Sequence, residues 1–287
     1  WPLQRKSAKT GKMYLQKTEY AKARGDKLFQ ILDDVIFGES SKYFLDTLPK
    51  GTELYRARVI KEADMASPNS GIKIVDEHTL HGFDEMNSRE TPLLCSPPGR
   101  VNIGGQSYFY AADTKETACV EVARSLRELI SLARFRLLRD ISLIDFATDQ
   151  ELSPQFRKKY NINMGRLFTK IMFSFSQPVT DPEEYLAAQF IADYIRKTGT
   201  GGICYMSFFT GKKNYAIFNC HPNIIKFMDS EVVIIYSQNN CIITVNGSQM
   251  LLSQSDSTLQ PTAEIKKKLV DDVRKEISDK QKQLSYQ

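Results

Sequence analysis

The stretch Pro97–Arg124, PPGRVNIGGQSYFYAADTKETACVEVAR, gathers the side chains best suited to chemistry. Arg100 follows a Pro-Pro-Gly break and leads into a loop with Asn102, where the adjacent Gly104 and Gly105 permit backbone angles or close approaches that a β-carbon forbids. Its guanidinium offers a planar fork of donors to a phosphate or carboxylate. Tyr110 lies in an aromatic run of strand type, and Glu121 projects from a helical pattern among Ala118, Val122 and Ala123. Taken singly, such a glutamate is most often a solvated surface residue and such an arginine an ordinary ion-pairing one. Together, by residue type alone, a guanidinium, an aromatic face and a carboxylate hint at a site for an anion.

Two other stretches carry chemistry of their own. In Thr52–Ile60 (TELYRARVI), strand alternation puts Arg56 and Arg58 on one face with Leu54, and Tyr55, Ala57 and Val59 on the other. If the arginine face lines a cleft, the pair forms a fork for phosphate. In Ile203–Phe209 (ICYMSFF), Ser207 is the polar exception in a buried-type strand. No Gly-x-Ser-x-Gly elbow surrounds it and no histidine is near in sequence, which argues against a hydrolase triad. Asn214 follows in the turn Gly211-Lys212-Lys213-Asn214.

These side chains must be positioned by the elements around them. Leu28, Ile31, Leu32, Val35 and Ile36 recur at helical spacing and stop near Gly38. Ser107–Ala112 reads as a strand, and Asp113 or Thr114 as the cap of a helix reaching Leu126 or beyond. Leu137–Phe146 reads as one strand. Residues 61–96 are polar and irregular, with Gly82-Phe83-Asp84 placed against the ligand, and residues 147–180 mix helix and loop. Asp181-Pro182-Glu183-Glu184 opens a helix over 181–198 that presents Gln189 on its apolar side. Strands are expected at Tyr215–Phe218, Glu231–Tyr236 and Cys241–Val245. From Pro261 to Gln287, Ile265, Leu269, Val273 and Ile277 recur every four residues, a helix with one narrow apolar stripe that either docks on its own domain or pairs with a second chain.

Composition narrows the function classes. At 287 residues, 41% hydrophobic and 25% charged, the chain can bury a full globular core. The net charge of +5 is mild and not gathered into one block, which disfavours nucleic acid and suits a basic pocket for a small phosphorylated ligand. No apolar run approaches the ~18 residues of a membrane span. The first residue is Trp1 and no signal-peptide core follows, so a cytoplasmic chain, trimmed from a longer one, is expected. Five cysteines, 95, 119, 204, 220 and 241, are widely spaced without CxxC and read as reduced thiols. His78 and His81 lack companion ligands, so no metal is expected.

The motifs in combination resemble the RES-domain family of bacterial proteins. Its pattern stands here as Tyr55-Arg56, Gly99-Arg100-Val101-Asn102, Tyr110, Glu121 and Gly202-Ile203-Cys204-Tyr205-Met206-Ser207, from about residue 50 to 220, and a glutamine such as Gln189 accompanies the domain. The resemblance implies an α+β fold like that of ADP-ribosyltransferases, a split, twisted β core flanked by helices with NAD in a central cleft. With the helical patterns at either end, the chain is expected to divide into a helical lead over 1–45, a RES-like catalytic domain over 46–246, and a linker with a C-terminal helix over 247–287. Family members cleave the bond between nicotinamide and its ribose, passing ADP-ribose to water or phosphate, and many are toxins that exhaust NAD, as in stress or anti-phage responses. Their partners are antitoxins or fused regulatory domains; here the C-terminal helix could also join two copies.

On that reading NAD is the substrate and no other cofactor is needed. Glu121 stabilises the cationic ribose, Tyr110 and Ser207 hold the nicotinamide ring and carboxamide, and Arg56 with Arg100 holds the diphosphate. Arg58, Tyr55, Asn102 and Asn214 complete the binding set. Val101 stands where the family commonly has an aromatic residue, and Ile103-Gly104-Gly105 replaces a proline-containing turn, which leaves the acceptor open. Two alternatives stand beside this reading: ADP-ribosyl transfer to a macromolecule, and a module that senses a nucleotide without catalysis.

Overall fold

The computed structural model describes residues 29–30, 32–74, 80–91, 96–123, 128–147, 169–170, 172–178, 182–235, 241–244, 250–252 and 263–285. It comprises two units, Trp1–Leu45 and Asp46–Gln287. In the first, residues 32–36 are helical, bury Leu32, Val35 and Ile36, and end in a turn at Gly38; α1 (Ser41–Phe44) follows.

The second unit is built on one large sheet flanked by helices. Its strands are β1 (Leu45–Leu48), β2 (Glu53–Val59), β5 (Phe109–Ala112), β6 (Leu129–Leu137), β7 (Ile141–Asp145), β8 (Gly202–Met206), β9 (Lys213–Ile217), β10 (Ile225–Ile235), β11 (Cys241–Thr244) and β12 (Met250–Leu252). They lie in the order β1-β7-β8-β9-β5-β2-β6-β10-β11-β12. From β8 to β12 each neighbouring pair is antiparallel, whereas β7 and β8 are parallel. A parallel pair needs a crossover connection, and α5 (Leu186–Lys197) lies within it. The short strands β3 (Lys73–Ile74) and β4 (Leu80–His81) form a separate pair.

Within 61–96, expected to be irregular, the described residues form short elements. They hold α2 (Glu62–Ala66), a 3₁₀ turn at Pro68–Ser70, β3, β4 and α3 (Glu85–Ser88). The expected long strand over Leu137–Phe146 is two strands with a bend at Leu138–Asp140, and β6 occupies Leu129–Leu137, for which no strand was expected before Leu137. The helix that follows β5, α4 (Lys115–Val122), is capped by Thr114, whose Oγ1 accepts from Thr117 N, and ends at Ala123. The helix expected from Asp181 begins as a 3₁₀ turn at Pro182–Tyr185; Asp181 lies outside the described residues.

The sheet is covered on both faces. One cluster joins Leu54, Phe109, Phe135, Leu143 and Ile225, with Phe135 meeting Phe109 and Phe227 edge-on at 4.8 and 5.5 Å. A second joins Ala57, Ala112, Ile130, Leu132 and Val233 to Ala118 and Cys119 of α4. A third seats α6 (Ala263–Ser285): Val273 and Ile277 pack among Met65, Ile72, Leu80 and Phe83, and Gln281 Nε2 donates to the Ile72 carbonyl at 2.9 Å. These two apolar turns of the stripe are covered by the chain itself; the side chains of Ile265 and Leu269 lie outside the described residues. Cys119, Cys204 and Cys220 are buried free thiols. Among the described residues no helix is long and apolar enough to cross a membrane.

One junction in the sheet carries little backbone pairing. Strands β2 and β5 share a single register pair, Tyr55 with Ala112, and beyond it they part.

Candidate active site

The parting of β2 and β5 opens a cavity of about 220 Å³. It is lined by Tyr55, Arg56, Ala57, Tyr110, Ala111 and Ala112 from the two strands, by Ala118, Glu121 and Val122 from α4, and by Arg100, Tyr205 and Asn214. Alanines on both strands and on the helix leave the volume that larger side chains would fill.

Glu121 is held from the β8–β9 hairpin. Its Oε1 accepts from Ser207 Oγ at 2.6 Å and from Asn214 Nδ2 at 2.8 Å. Oε2 accepts no hydrogen bond among the described residues and lies 4.0 Å from Arg100 Nη2. The side chain retains 19% exposure. Two donors on one oxygen fix the carboxylate and leave its other oxygen facing a guanidinium and a cavity.

Arg100 is fixed from a different side. Its Nη1 donates to the carbonyls of Phe175, at 3.1 Å, and Gln177, at 2.5 Å, and the guanidinium lies over the rings of Tyr185 and Tyr205, 5.6 and 6.0 Å from their centroids. The loop that carries it is braced from within. Asn102 Nδ2 reaches the carbonyls of Pro97, Ile103 and Gln106, while Asn102 Oδ1 accepts from the Tyr110 hydroxyl at 2.6 Å. The same hydroxyl accepts from Val101 N at 3.1 Å, and Gln189 Nε2 donates to the Gly99 carbonyl at 2.7 Å. Gly99 has no alternative here: a Cβ would stand 2.5 Å from Asn102 Oδ1 and 3.1 Å from the Tyr110 hydroxyl oxygen.

Arg56 bridges the parted strands. Its Nη1 donates to the Tyr110 carbonyl at 2.8 Å and its Nε to the Ser88 carbonyl at 3.1 Å. Burial, then the charge of Arg58, pushes its guanidinium down to about 10, so it stays cationic at neutral pH. Burial also raises the hydroxyls of Tyr110 and Tyr205 well above the ordinary tyrosine range, which keeps both as neutral donors.

Several sequence-level assignments change. Ser207, expected within a strand and against a carboxamide, follows a strand that stops at Met206, is 2% exposed, and has its hydroxyl on Glu121. Asn102, expected at the ligand, is 2% exposed and holds its own loop. Arg58, expected beside Arg56, donates to the Asn87 carbonyl and lies over the Phe83 ring, away from the cavity lining. Phe83 is buried against α6 rather than set at the cleft. Tyr55, Arg56, Arg100, Tyr110, Glu121 and Asn214 do meet at one cavity. Tyr205 was named only as a motif letter, although its place two residues before Ser207 on a strand was the available signal. His78 lies outside the described residues, among which no group of three His, Cys, Asp or Glu side chains could hold a metal ion.

A family model described as RES domain matches residues 78–235, more than half of the chain. Arg100, Tyr110, Glu121, Ser207 and Asn214 fall inside the match; Tyr55 and Arg56 precede it and reach the same cavity through β2. No curated protein matches the sequence. Among solved structures, the "Crystal structure of the M.tuberculosis MbcT-MbcA toxin-antitoxin complex" is similar at 14% identity, over 71% of this chain and 94% of that one, with a TM-score of 0.38.

Proposed function

The chain belongs to the RES-domain family, and we propose that its cavity takes the nicotinamide-ribose end of NAD and that Glu121 promotes cleavage of the bond between them. The observation that carries this reading is the carboxylate itself: anchored through Oε1 by Ser207 and Asn214, with Oε2 beside Arg100 in the opening between β2 and β5.

Breaking an N-glycosidic bond passes through a ribose of oxocarbenium character, and a fixed anion beneath it lowers the barrier. Nicotinamide leaves as a neutral molecule, so no strong acid is required. The Tyr110 ring gives the departing pyridine an aromatic face while its hydroxyl stays on Asn102. Arg100 and Arg56 supply positive charge for the diphosphate. The cavity, at about 220 Å³, falls below the ~300–1,000 Å³ of sites that enclose a whole drug-sized ligand, which fits one end of a dinucleotide lodged with the remainder outside.

In a cell, this reaction removes NAD, and the protein acts as a growth-arresting toxin or stress effector held in check by an antitoxin or regulatory domain. Water or phosphate is the acceptor. The second reading is transfer of ADP-ribose to a macromolecule. It is favoured by Phe208 and Phe209, 59% and 47% exposed at the turn that begins with Ser207. A time course of NAD with labelled adenosine, product identification, and parallel runs with and without phosphate separates the three. Free ADP-ribose, its phosphorylated form or label on a target is read directly. Persistence of NAD, or undiminished loss in Glu121→Gln, removes the proposal.

A further inference from the structure

Glu121 is anchored to the β8–β9 hairpin at its own end of α4, and a second attachment joins the same two elements one helical turn earlier. Thr117 lies four residues before Glu121, so both side chains leave the same face of the helix. Its Oγ1 is 2.9 Å from Thr210 Oγ1, in the turn between Ser207 and Asn214, and 2.8 Å from Thr114 Oγ1, the N-cap of the helix. Thr210 Oγ1 in turn accepts from Lys212 N at 3.3 Å, and the turn is closed by Gly211 N donating to Ser207 O at 3.0 Å. Thr117 is completely buried. A β-branched hydroxyl residue is a poor choice inside a short helix unless its side chain has a task. An aliphatic residue of the same shape would pack there, but it would leave Thr210 and Thr114 without this partner.

We infer that Thr117 is a positioning residue for Glu121: through Thr210 it sets the distance between α4 and the hairpin at which Ser207 and Asn214 both reach Oε1. The inference rests on the reading of Glu121 as the carboxylate of the reaction. Helix and hairpin belong to different parts of the chain, so two hydroxyls clasped at 2.9 Å fix the spacing of the side chains one turn further on. The β5–β9 ladder and the Asp113–Lys213 bonds hold the base of the hairpin; without the clasp its turn shifts against the helix, and the bonds of 2.6 and 2.8 Å to Oε1 do not both persist.

The test is steady-state kinetics of NAD loss in Thr117→Val, Thr117→Ser, Thr210→Val and Glu121→Gln. Thr198→Val serves as control, since it deletes a hydroxyl pair of 3.0 Å at the far end of α5. A misplacement of about 1 Å costs up to ~100-fold in rate, so Thr117→Val and Thr210→Val should each lose about 10- to 100-fold in kcat with KM nearly unmoved. Thr117→Ser should restore most of the rate, and Thr198→Val should match the parent. Parent-level kcat in both valine variants, while Glu121→Gln is inactive, overturns the clasp and leaves the reading of the site intact. If Thr117→Val does not fold, Thr210→Val, altered at a half-buried turn residue, decides alone. If Glu121→Gln consumes NAD like the parent, the reading of the site falls. The clasp is then judged by a crystal structure of Thr210→Val: separation of Ser207 Oγ from Glu121 Oε1 upholds it, and retention at 2.6 Å overturns it.

Discussion

Replacing Ser207 by alanine separates two accounts of that side chain. The substitution removes one oxygen from a site that is 2% exposed, and with it one of the two donors on Glu121 Oε1. A hydrogen bond to a charged group contributes about 1.5–3 kcal/mol, and each 1.36 kcal/mol is about tenfold in rate. Full expression of the loss at the transition state lowers kcat by about 10- to 150-fold. The displaced carboxylate has somewhere to go: Arg100 Nη2 is 4.0 Å from Oε2, and closing to the ~2.8 Å of a charge-assisted bond moves it by about 1 Å. Initial rates of NAD loss across a range of NAD concentrations give kcat and KM separately. Anchoring of Glu121 predicts a fall in kcat at nearly constant KM. A raised KM with kcat unchanged would refute this and return Ser207 to the nicotinamide carboxamide. Asn214→Leu should behave like Ser207→Ala. Because both bonds end on the same oxygen, the double variant should lose less than the product of the single losses.

Gly99→Ala drives a methyl group against the Asn102–Tyr110 pair and should cost about 1–3 kcal/mol in denaturant unfolding while raising KM through the Arg100 loop. Gly104→Ala, whose added Cβ meets nothing nearer than 3.8 Å, should leave both parameters unchanged. Burial pushes the Asp193 carboxyl up, but hydrogen bonds from Lys197, Arg196 and Gln106 outweigh it and hold it at about 2. Its contribution to stability is therefore complete above the ordinary value of 3.8 and disappears as pH falls through about 2. Asp193→Asn should accordingly be less stable than the parent at neutral pH and converge with it in acid, as followed by thermal unfolding at each pH. Ile277→Ala empties a fully buried position under α6 and should cost about 2–5 kcal/mol, measured as a lower denaturant midpoint with an unchanged slope.

Much of the architecture was legible where one periodicity ruled. From Tyr55 to Val59 the residues alternate and lie in β2, and the four-residue repeat after Pro261 lies in α6. One misreading arose where burial on both sides erased the alternation. In β6, Leu129 to Ala133 are buried without interruption because the strand lies inside the sheet between β2 and β10. A run of that kind looks no different from the end of an amphipathic helix. The site divided in the same way. Arginine, glutamate and tyrosine could be picked out because their chemistry is scarce in a core. Which of them touch one another depends on tertiary distances that spacing does not encode. Ser207 and Glu121 are 86 residues apart and 2.6 Å from each other. Asn102, which looked like a ligand-binding amide, turned inward because the carbonyls of Pro97, Ile103 and Gln106 lack partners in a regular element.

The single rung between β2 and β5 bears on how Arg56 variants should be read. Past Tyr55 and Ala112 the backbone ladder stops, and the Tyr110 carbonyl that would have met a neighbouring strand receives a guanidinium proton instead. Arg56 therefore works as a rivet across a seam where the two strands share a single register pair. An inactive Arg56 variant identifies a charge missing from the diphosphate only if the seam is still closed. Amide hydrogen exchange along β5 makes that distinction: slow exchange at Tyr110 and Ala111 means a lost electrostatic contact, and fast exchange means a sheet that has come unfastened.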